Sequence, residues 1–416
     1  MVVSGEVLTD TLLDICHKPV ESKGFLSLSK DLHFRRSLDE QFGLVVPFQR
    51  TLTATLPTVT GNASMLRNKP FPHSNITVAG FLDEVLVLSS LQKPRKLIIR
   101  GSDGNKYPIL CKPKDDLRKD QRLMEFNAMI DRALKRDVDA SKRKLYIKTY
   151  AVTTLNDEHG VLEWVDGLKP LRDVIILYLG RMGEKLAFND IRVLLDKACK
   201  DPNGQKLFTD KLLRDYPPVL YKWFVETFPD PDTWFNARLR YTRSCGVMSI
   251  VGNALGLGDR HGENISLEQG SGGVFHVDFN CLFEKGLTFE KPERVPFRLT
   301  HNMVDAFGAY GYEGPFRVAA EITQRTLKQH EETLMTIMEA FLYDPTTDFG
   351  LEKRRRVPGV PDTPAEVLQS VRSKFNCLLK DETVPLSVEG YVDALIRAAT
   401  DPKNLLQMYV GWCPFL

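Results

Sequence analysis

Two short stretches of this sequence carry side-chain oxygens at spacings that suit chemistry on a nucleotide. The first is Gly258-Asp-Arg-His-Gly-Glu-Asn264 and the second is His276-Val-Asp-Phe-Asn280. Asp259 and Asn264 stand five apart in what reads as a loop, and Asp278 follows fourteen residues after Asn264 at a strand end. Phosphoryl transfer needs a proton acceptor near the attacking hydroxyl and oxygen ligands for a divalent ion, all held in fixed relation. Magnesium takes one or two carboxylates and completes its shell with water, carbonyl and phosphate oxygens. Asp259 suits the acceptor, and Asn264 and Asp278 suit the metal. Lys112 supplies a cation at a strand end, upstream of a helical stretch carrying Asp120 and Glu125. A lysine braced by a carboxylate can hold phosphate oxygens.

The elements around these residues change character along the chain. Leu8, Leu12, Leu13 and Ile15 give a helical spacing near the N-terminus, and residues 46–75, rich in Thr, Pro, Asn and Ser, read as an extended crossing segment. Lys96–Arg100 and Tyr107–Lys112 flank Asp103-Gly104, a hairpin signal. Leu123, Phe126, Ile130 and Leu134 mark a helix, with Asp115 and Asp116 at its start. Leu145–Leu155 is β-rich, and Val161–Val165 is a further strand after the turn at residues 156–160. Beyond Gly167 helices dominate: near Pro170–Leu179, over Asn236–Leu255 with Gly256 as the stop, and from His301 to Leu342, with Val274–Phe279 as an intervening strand. Residues 344–364 hold four prolines and the run Lys353–Arg356, which reads as a tether, followed by a helix pair.

Composition narrows the class. The chain has 416 residues, with 56 Lys and Arg against 54 Asp and Glu. A net charge of +2 lacks the basic excess of a protein that lives on nucleic-acid backbones, so any anion is held by a local site. The seven cysteines contain no C-x-x-C, which argues against a zinc site or a disulfide framework and for a reducing compartment. Glu6, Asp10 and Asp14 break any signal-peptide pattern, and Val174–Leu179 is too short to span a bilayer. A soluble protein without a membrane role is expected.

The set resembles the H-R-D-x-x-x-x-N and D-F-G arrangement of protein kinases with His and Asp exchanged in order. Taken with Ser90–Asn127, Gly256–Ile265, His276–Gly286, Val295–Val304 and the tail Gln407–Leu416, the sequence is similar to the C-terminal part of the phosphatidylinositol 3-kinase-related protein kinases, and within them the ATR-type DNA-damage checkpoint group. Asn280, where kinases usually have the glycine of D-F-G, fits that group. The resemblance implies an α+β, two-lobed protein-kinase-like catalytic fold of the PI3/PI4-kinase type, with a helical C-lobe and C-terminal FATC helices. Residues 1–45 would end a helical FAT domain and 46–77 connect it. Residues 78–166 would form the N-lobe, 167–345 the C-lobe, 346–384 a regulatory insert or linker, and 385–416 the FATC segment. Both the N-terminal helical remnant and the FATC segment are expected on the C-lobe.

The resemblance also assigns roles. Asp259 would be the catalytic base and His261 would stabilise the transferring phosphoryl. Asn264 and Asp278 would hold Mg2+, with Mn2+ as an alternative. ATP would meet Lys112 with Asp120 as its acidic partner, Ser89 and Ser90 in a phosphate-covering loop, backbone groups of Glu163 and Val165 at the adenine, and Tyr150 and Trp164 lining the pocket. Cys281, Lys285, Arg294, Pro296, Phe297 and Arg298 would belong to the activation loop. Substrates would be proteins with Ser or Thr before Gln, in the nucleus, with DNA contact indirect. ATR-interacting protein and activator proteins would serve the full-length kinase, whose long array of helical repeats precedes the region seen here; the chain is therefore expected to be a fragment or a truncated product.

Two alternatives stand beside this reading. A lipid kinase would need a basic cluster for its headgroup, yet residues 281–300 interleave four basic residues with three acidic ones. A non-catalytic scaffold would not need base, metal and phosphate positions filled. The tail, with Leu405, Leu406, Met408, Tyr409, Val410, Trp412 and Phe415, is too apolar to lie in water and is expected to dock on the core as a terminal helix; the family resemblance implies that it docks against the activation loop and supports catalysis.

Overall fold

Alternating apolar and polar residues build the first of two units in this computed structural model. The structure describes residues 2–20, 23–34, 37–44, 46, 76–88, 92–347, 349–351, 356–380 and 382–416. One unit comprises residues 1–124 and 150–166, the other 125–149 and 167–416. Ser89 and Ser90, nearly all of the connector 46–77, and Lys353, Arg354 and Arg355 lie outside the described residues.

In the first unit, α1 (Val2–His17) precedes strands β1 (Gly24–Ser27), β2 (Val78–Phe81), β3 (Glu84–Val87), β4 (Arg95–Gly101) and β5 (Lys106–Lys112). Helix α2 (Arg118–Arg136) begins here, and β6 (Val152–Thr154) and β7 (Gly160–Glu163) complete the sheet. The strand order is β1-β3-β4-β5-β7-β6, with β2 on β4, and every described pair is antiparallel. The β4–β5 hairpin pairs Arg95 with Cys111 and Arg100 with Lys106. Its turn is set by Gly104 at φ +79° and by Asp103, which accepts from the Asn105 N–H and the Tyr107 hydroxyl.

Leu97, Ile99, Ile109 and Cys111 form one face of this sheet and bury against Leu8, Leu12, Ile15 and Cys16 of α1. The N-terminal helix, expected on the C-lobe, therefore packs on the β-sheet of its own unit. Its stripe at i, i+4, i+7 and i+8 is the apolar complement that the one-sided strands require. Because successive strand residues face opposite sides, Lys112 lies on the face away from Cys111 and α1. Of the β-rich stretch 145–155, only Val152–Thr154 is strand.

The second unit holds a small antiparallel sheet of β8 (Leu168–Pro170), β9 (Ile265–Glu268) and β10 (Val274–His276) in the order β10-β9-β8. Around it lie α3 (Leu171–Arg181), α4 (Phe188–Lys200), α5 (Leu220–Thr227), α6 (Pro231–Ala254), α7 (Pro315–Gln329), α8 (Glu331–Leu342), α9 (Pro364–Phe375) and α10 (Val388–Thr400). Helix α6 starts five residues before the expected Asn236. Asp230 caps it by accepting from Thr233 N–H at 3.0 Å, and Pro231 sits at the first helical position. It ends at Ala254, with Leu255 as its C-cap and Gly256 next at φ +56°. Within the 346–384 stretch, expected as insert or linker, α9 is capped by Thr363 and buries Val367, Val371 and Phe375.

Helices α6 and α7 touch through small residues. A Cβ on Gly246 would stand 2.7 Å from the Phe316 carbonyl oxygen and 3.1 Å from Ala319 Cβ. Gly246→Val is expected to lower stability by about 1–3 kcal/mol through overpacking. Chemical denaturation measures this; an unchanged midpoint would contradict the close helix contact.

Candidate active site

Helix α6 delivers the chain to the loop 257–264, and the β9–β10 hairpin leads it away and back. The hairpin pairs Ile265 with His276, so the next residues outward, Asn264 and Val277, also meet: Val277 N–H donates to Asn264 O at 3.0 Å. Antiparallel register thereby brings Asn264 beside Asp278, fourteen residues later in sequence. The predicted strand Val274–Phe279 ends early, at His276, because Asp278 adopts a left-handed φ of +58°. Asp259 has the same φ, +58°. Aspartate tolerates this region better than most residues, yet it still turns both side chains away from a regular ladder. Strand β9, which supplies the register, went unread from the sequence: its Ile-Ser-Leu-Glu run is short and follows the polar loop directly.

Arg260 ties the two stretches together. Its Nε donates to Gly258 O at 2.9 Å, and Nη1 donates to Val277 O at 2.9 Å and Asn264 O at 3.5 Å. Nη2 donates to Asp278 O, and the guanidinium lies 5.7 Å from the Phe279 ring centre. Asn264 Nδ2 donates to Asp259 O at 2.8 Å, which leaves the Asn264 side-chain oxygen for a cation. Asp278 is exposed, and one of its carboxylate oxygens accepts the Asn280 N–H at 3.2 Å. The amide oxygen of buried Asn264 and the exposed carboxylate of Asp278 are the ligand types that suit a magnesium ion which also takes phosphate oxygens. Among the described residues no group of three or more His, Cys, Asp or Glu could hold a metal.

His261 accepts the Glu263 N–H on Nδ1 at 3.3 Å, so the neutral ring carries its proton on Nε2, 3.8 Å from Asp259 Oδ1. Burial holds the His261 pKa below the ordinary histidine value, which favours that neutral form. The His276 ring is driven further, down to about 3, by burial and then by the Arg260 charge. Glu293 is a site residue that sequence reasoning missed. It accepts the Asp259 N–H on Oε1 at 2.9 Å, and burial raises its carboxyl to about 7. Its only sequence signal was an acid inside the segment 281–300.

In the other unit, Lys112 Nζ stands 3.0 Å from Asp115, an acidic partner that the sequence reading placed only at a helix start. Asp120 is buried in the first turn of α2, and both Lys112 and Asp120 make further polar interactions. The N–H groups of Glu163 and Trp164 are spent on Ala151 O and Pro108 O, and Val165 lies two residues beyond Glu163, the last ladder residue of β7. Trp164 is held by its Nε1 on Asp166 at 2.8 Å and by Lys96 Nζ 4.4 Å from its ring centre; Tyr150 is buried.

The sequence profile of the Phosphatidylinositol 3- and 4-kinase family matches residues 106–351, and that of the FATC domain matches 385–416. The chain belongs to this kinase family. Protein kinase rad3 of Schizosaccharomyces pombe is 48% identical over 99% of this chain, and Serine/threonine-protein kinase ATR of Drosophila melanogaster is 41% identical over 98% of it. The chain spans only 17% of the length of each. The solved FAT and kinase domain of CtTel1 superposes with a TM-score of 0.82 at 26% identity, covering all of this chain and 28% of that one.

The FATC tail of this family member is not one terminal helix. After α10 it forms a helical turn, Pro402–Leu406, and a 3-10 turn, Val410–Trp412, and it buries Leu405, Leu406, Met408, Trp412 and Phe415 while Tyr409 stays exposed. Arg298 anchors it: the buried guanidinium donates to main-chain oxygens of Trp412 (2.6 Å), Cys413 (2.9 Å) and Leu416 (3.0 Å) and lies 4.3 Å from the Trp412 ring centre. Burial lowers its pKa to about 10, still charged at neutral pH. Arg294 N–H faces Met408 Sδ at 3.3 Å. Cys281 and Phe297 are buried too, while Lys285 reaches Asn280 O at 3.3 Å and Arg294 is exposed; with Pro296, Arg294 lines a cavity of about 390 Å3. A cleft of about 730 Å3 opens beside Asp259 and His261, walled by Arg172, Lys291, Glu293 and tail residues Tyr409–Trp412.

Two outcomes follow from this geometry. Arg298→Met strands three buried main-chain oxygens, so stability is expected to fall by roughly 3 kcal/mol or more, with residues 407–416 becoming sensitive to protease; full protection would contradict the anchor. A carboxyl with a raised folded pKa favours the fold at low pH and loses that contribution as pH rises through about 7. The stability difference between Glu293→Gln and the parent should therefore shift in the variant's favour from about pH 5 to about pH 8. Denaturation midpoints across that range measure it, and a pH-independent difference would contradict the burial of this carboxyl.

Proposed function

We propose that this chain is the catalytic end of a serine/threonine protein kinase that transfers the γ-phosphoryl group of Mg-ATP to a Ser or Thr followed by Gln, in nuclear DNA-damage checkpoint signalling. The observation that carries the reading is the meeting of Asp259, Asn264 and Asp278 around the Arg260 tie. The names of the rad3 and ATR relatives support a protein acceptor, and the mixed charge of residues 281–300 disfavours a phosphoinositide.

In this mechanism the substrate hydroxyl gives its proton to the Asp259 carboxylate while its oxygen bonds the γ-phosphorus and the bond to ADP breaks in line. His261, neutral with its proton on Nε2, donates toward the transferring phosphoryl oxygens. Asn264 and Asp278 would hold the divalent ion, Mg2+ or Mn2+, which supplies charge neutralisation at the phosphates. Lys112, steadied by Asp115, would hold the nucleotide phosphates, with Asp120 as a second acid; Tyr150, Glu163, Trp164 and Val165 would receive the base. Binding of ATR-interacting protein and of activators belongs to the longer kinase.

The test is phosphate incorporation from ATP and magnesium into a Ser-Gln peptide and into phosphoinositide vesicles. Asp278→Ala should lower peptide phosphorylation by roughly 10²–10³-fold, the scale for losing one charge-stabilising group. Equal incorporation by parent and variant would overturn the metal role; transfer to lipid alone would select a lipid kinase.

A further inference from the structure

We propose that Glu293 is a positioning residue for Asp259, a role that rests on the phosphotransfer reading above. Its carboxyl oxygen holds the main-chain amide of Asp259 and so fixes the left-handed backbone from which the proton acceptor projects.

Four observations converge on this role. The Asp259 N–H donates to Glu293 Oε1 at 2.9 Å. Asp259 stands at φ +58°, a conformation that persists only when its surroundings hold it. The other carboxyl oxygen is wedged between two glycines: a Cβ on Gly258 would lie 2.3 Å from Oε2, and one on Gly286 would lie 2.2 Å from it. The Glu293 N–H donates back to Gly286 O at 3.1 Å, which locks its own segment to the same turn. Two glycines 28 residues apart are thus explained by one carboxyl group that must reach the Asp259 amide. Arg260 supplies the nearby compensating charge. Without the carboxyl, that amide loses its acceptor and Asp259 is free to rotate. A misplacement of about 1 Å in a reacting group is worth ~10²-fold in rate.

The experiment compares the parent chain with Glu293→Ala, Glu293→Gln, Gly286→Ala and the Glu293→Ala, Gly286→Ala pair. Peptide phosphorylation is read as kcat and as KM for ATP, and amide hydrogen exchange is read across residues 257–262. Glu293→Ala and Gly286→Ala should each lower kcat by roughly 10–100-fold with KM for ATP within about threefold. The paired variant should be no worse than Glu293→Ala, because the clash vanishes with the carboxyl. Glu293→Gln keeps an acceptor oxygen and should recover most of the loss. Exchange at Asp259 should quicken in Glu293→Ala and not in Glu293→Gln. Glu293→Asp, whose carboxyl is one methylene short, carries the alanine expectation if Glu293→Ala does not fold. Parent-like kcat in Glu293→Ala, additive losses in the pair, or unaltered exchange at Asp259 would overturn the proposal. A parent chain that transfers no phosphate would sink the kinase reading, and the exchange measurement would still decide whether Glu293 holds the Asp259 amide.

Discussion

The buried guanidinium of Arg260 is the interaction on which the candidate site depends. It spends its donors on main-chain oxygens of Gly258, Asn264, Val277 and Asp278, two from each of the two stretches that carry the chemistry. Charge-assisted bonds of this kind contribute more than neutral ones, and a guanidinium offers five donors in a rigid fork. Lysine could not replace it. Burial lowers its pKa, and the carboxylates of Asp278 and Asp259 oppose that effect, so the same acids that would do chemistry also keep their clamp charged.

Hairpin register and the clamp act together. The β9–β10 pairing fixes how far Asn264 stands from Asp278, and Arg260 fixes the direction from which the loop approaches. Gly256 and Gly258 then let the segment 281–293 come close. The Glu284 N–H donates to Gly256 O at 2.9 Å, and the Gly258 N–H donates to Cys281 O at 2.8 Å. Further along the segment, Arg298 repeats the device used by Arg260: a buried guanidinium satisfied by main-chain oxygens, here of the FATC tail. The tail, the segment 281–298 and the loop 257–264 are therefore tied by hydrogen bonds from two arginines and to one glutamate.

Much of this was legible in the sequence because the relevant signals are local. Asp103-Gly104 between apolar strands specifies a hairpin, and residues 236–255 end at a glycine that terminates a helix. The acids and the amide of the site were visible as types at spacings. What was not legible depends on tertiary pairing. Ile265–Glu268 is too short to announce itself as a strand, and it becomes one only because Val274–His276 and Leu168–Pro170 flank it. Helix α1 carried a clear apolar stripe, but nothing local says which surface receives it. Glu293 looked like one charge among seven in a mixed segment; its reach to the Asp259 amide depends on the turn at Gly286. The tail read as a helix from its apolar residues, yet Arg298 collects its main-chain oxygens in a bent path that no periodicity encodes.

In the proposed kinase, Asn264 and Asp278 would share one divalent ion beneath a triphosphate. The most direct measurement is an experimental structure of the chain with Mg2+ and a non-hydrolysable ATP analogue. Side-chain oxygens of both residues are expected about 2.0–2.2 Å from the same ion, with phosphate oxygens completing its shell and the Arg260 bonds intact. An ion held by other residues, or Asn264 and Asp278 turned to separate partners, would contradict it.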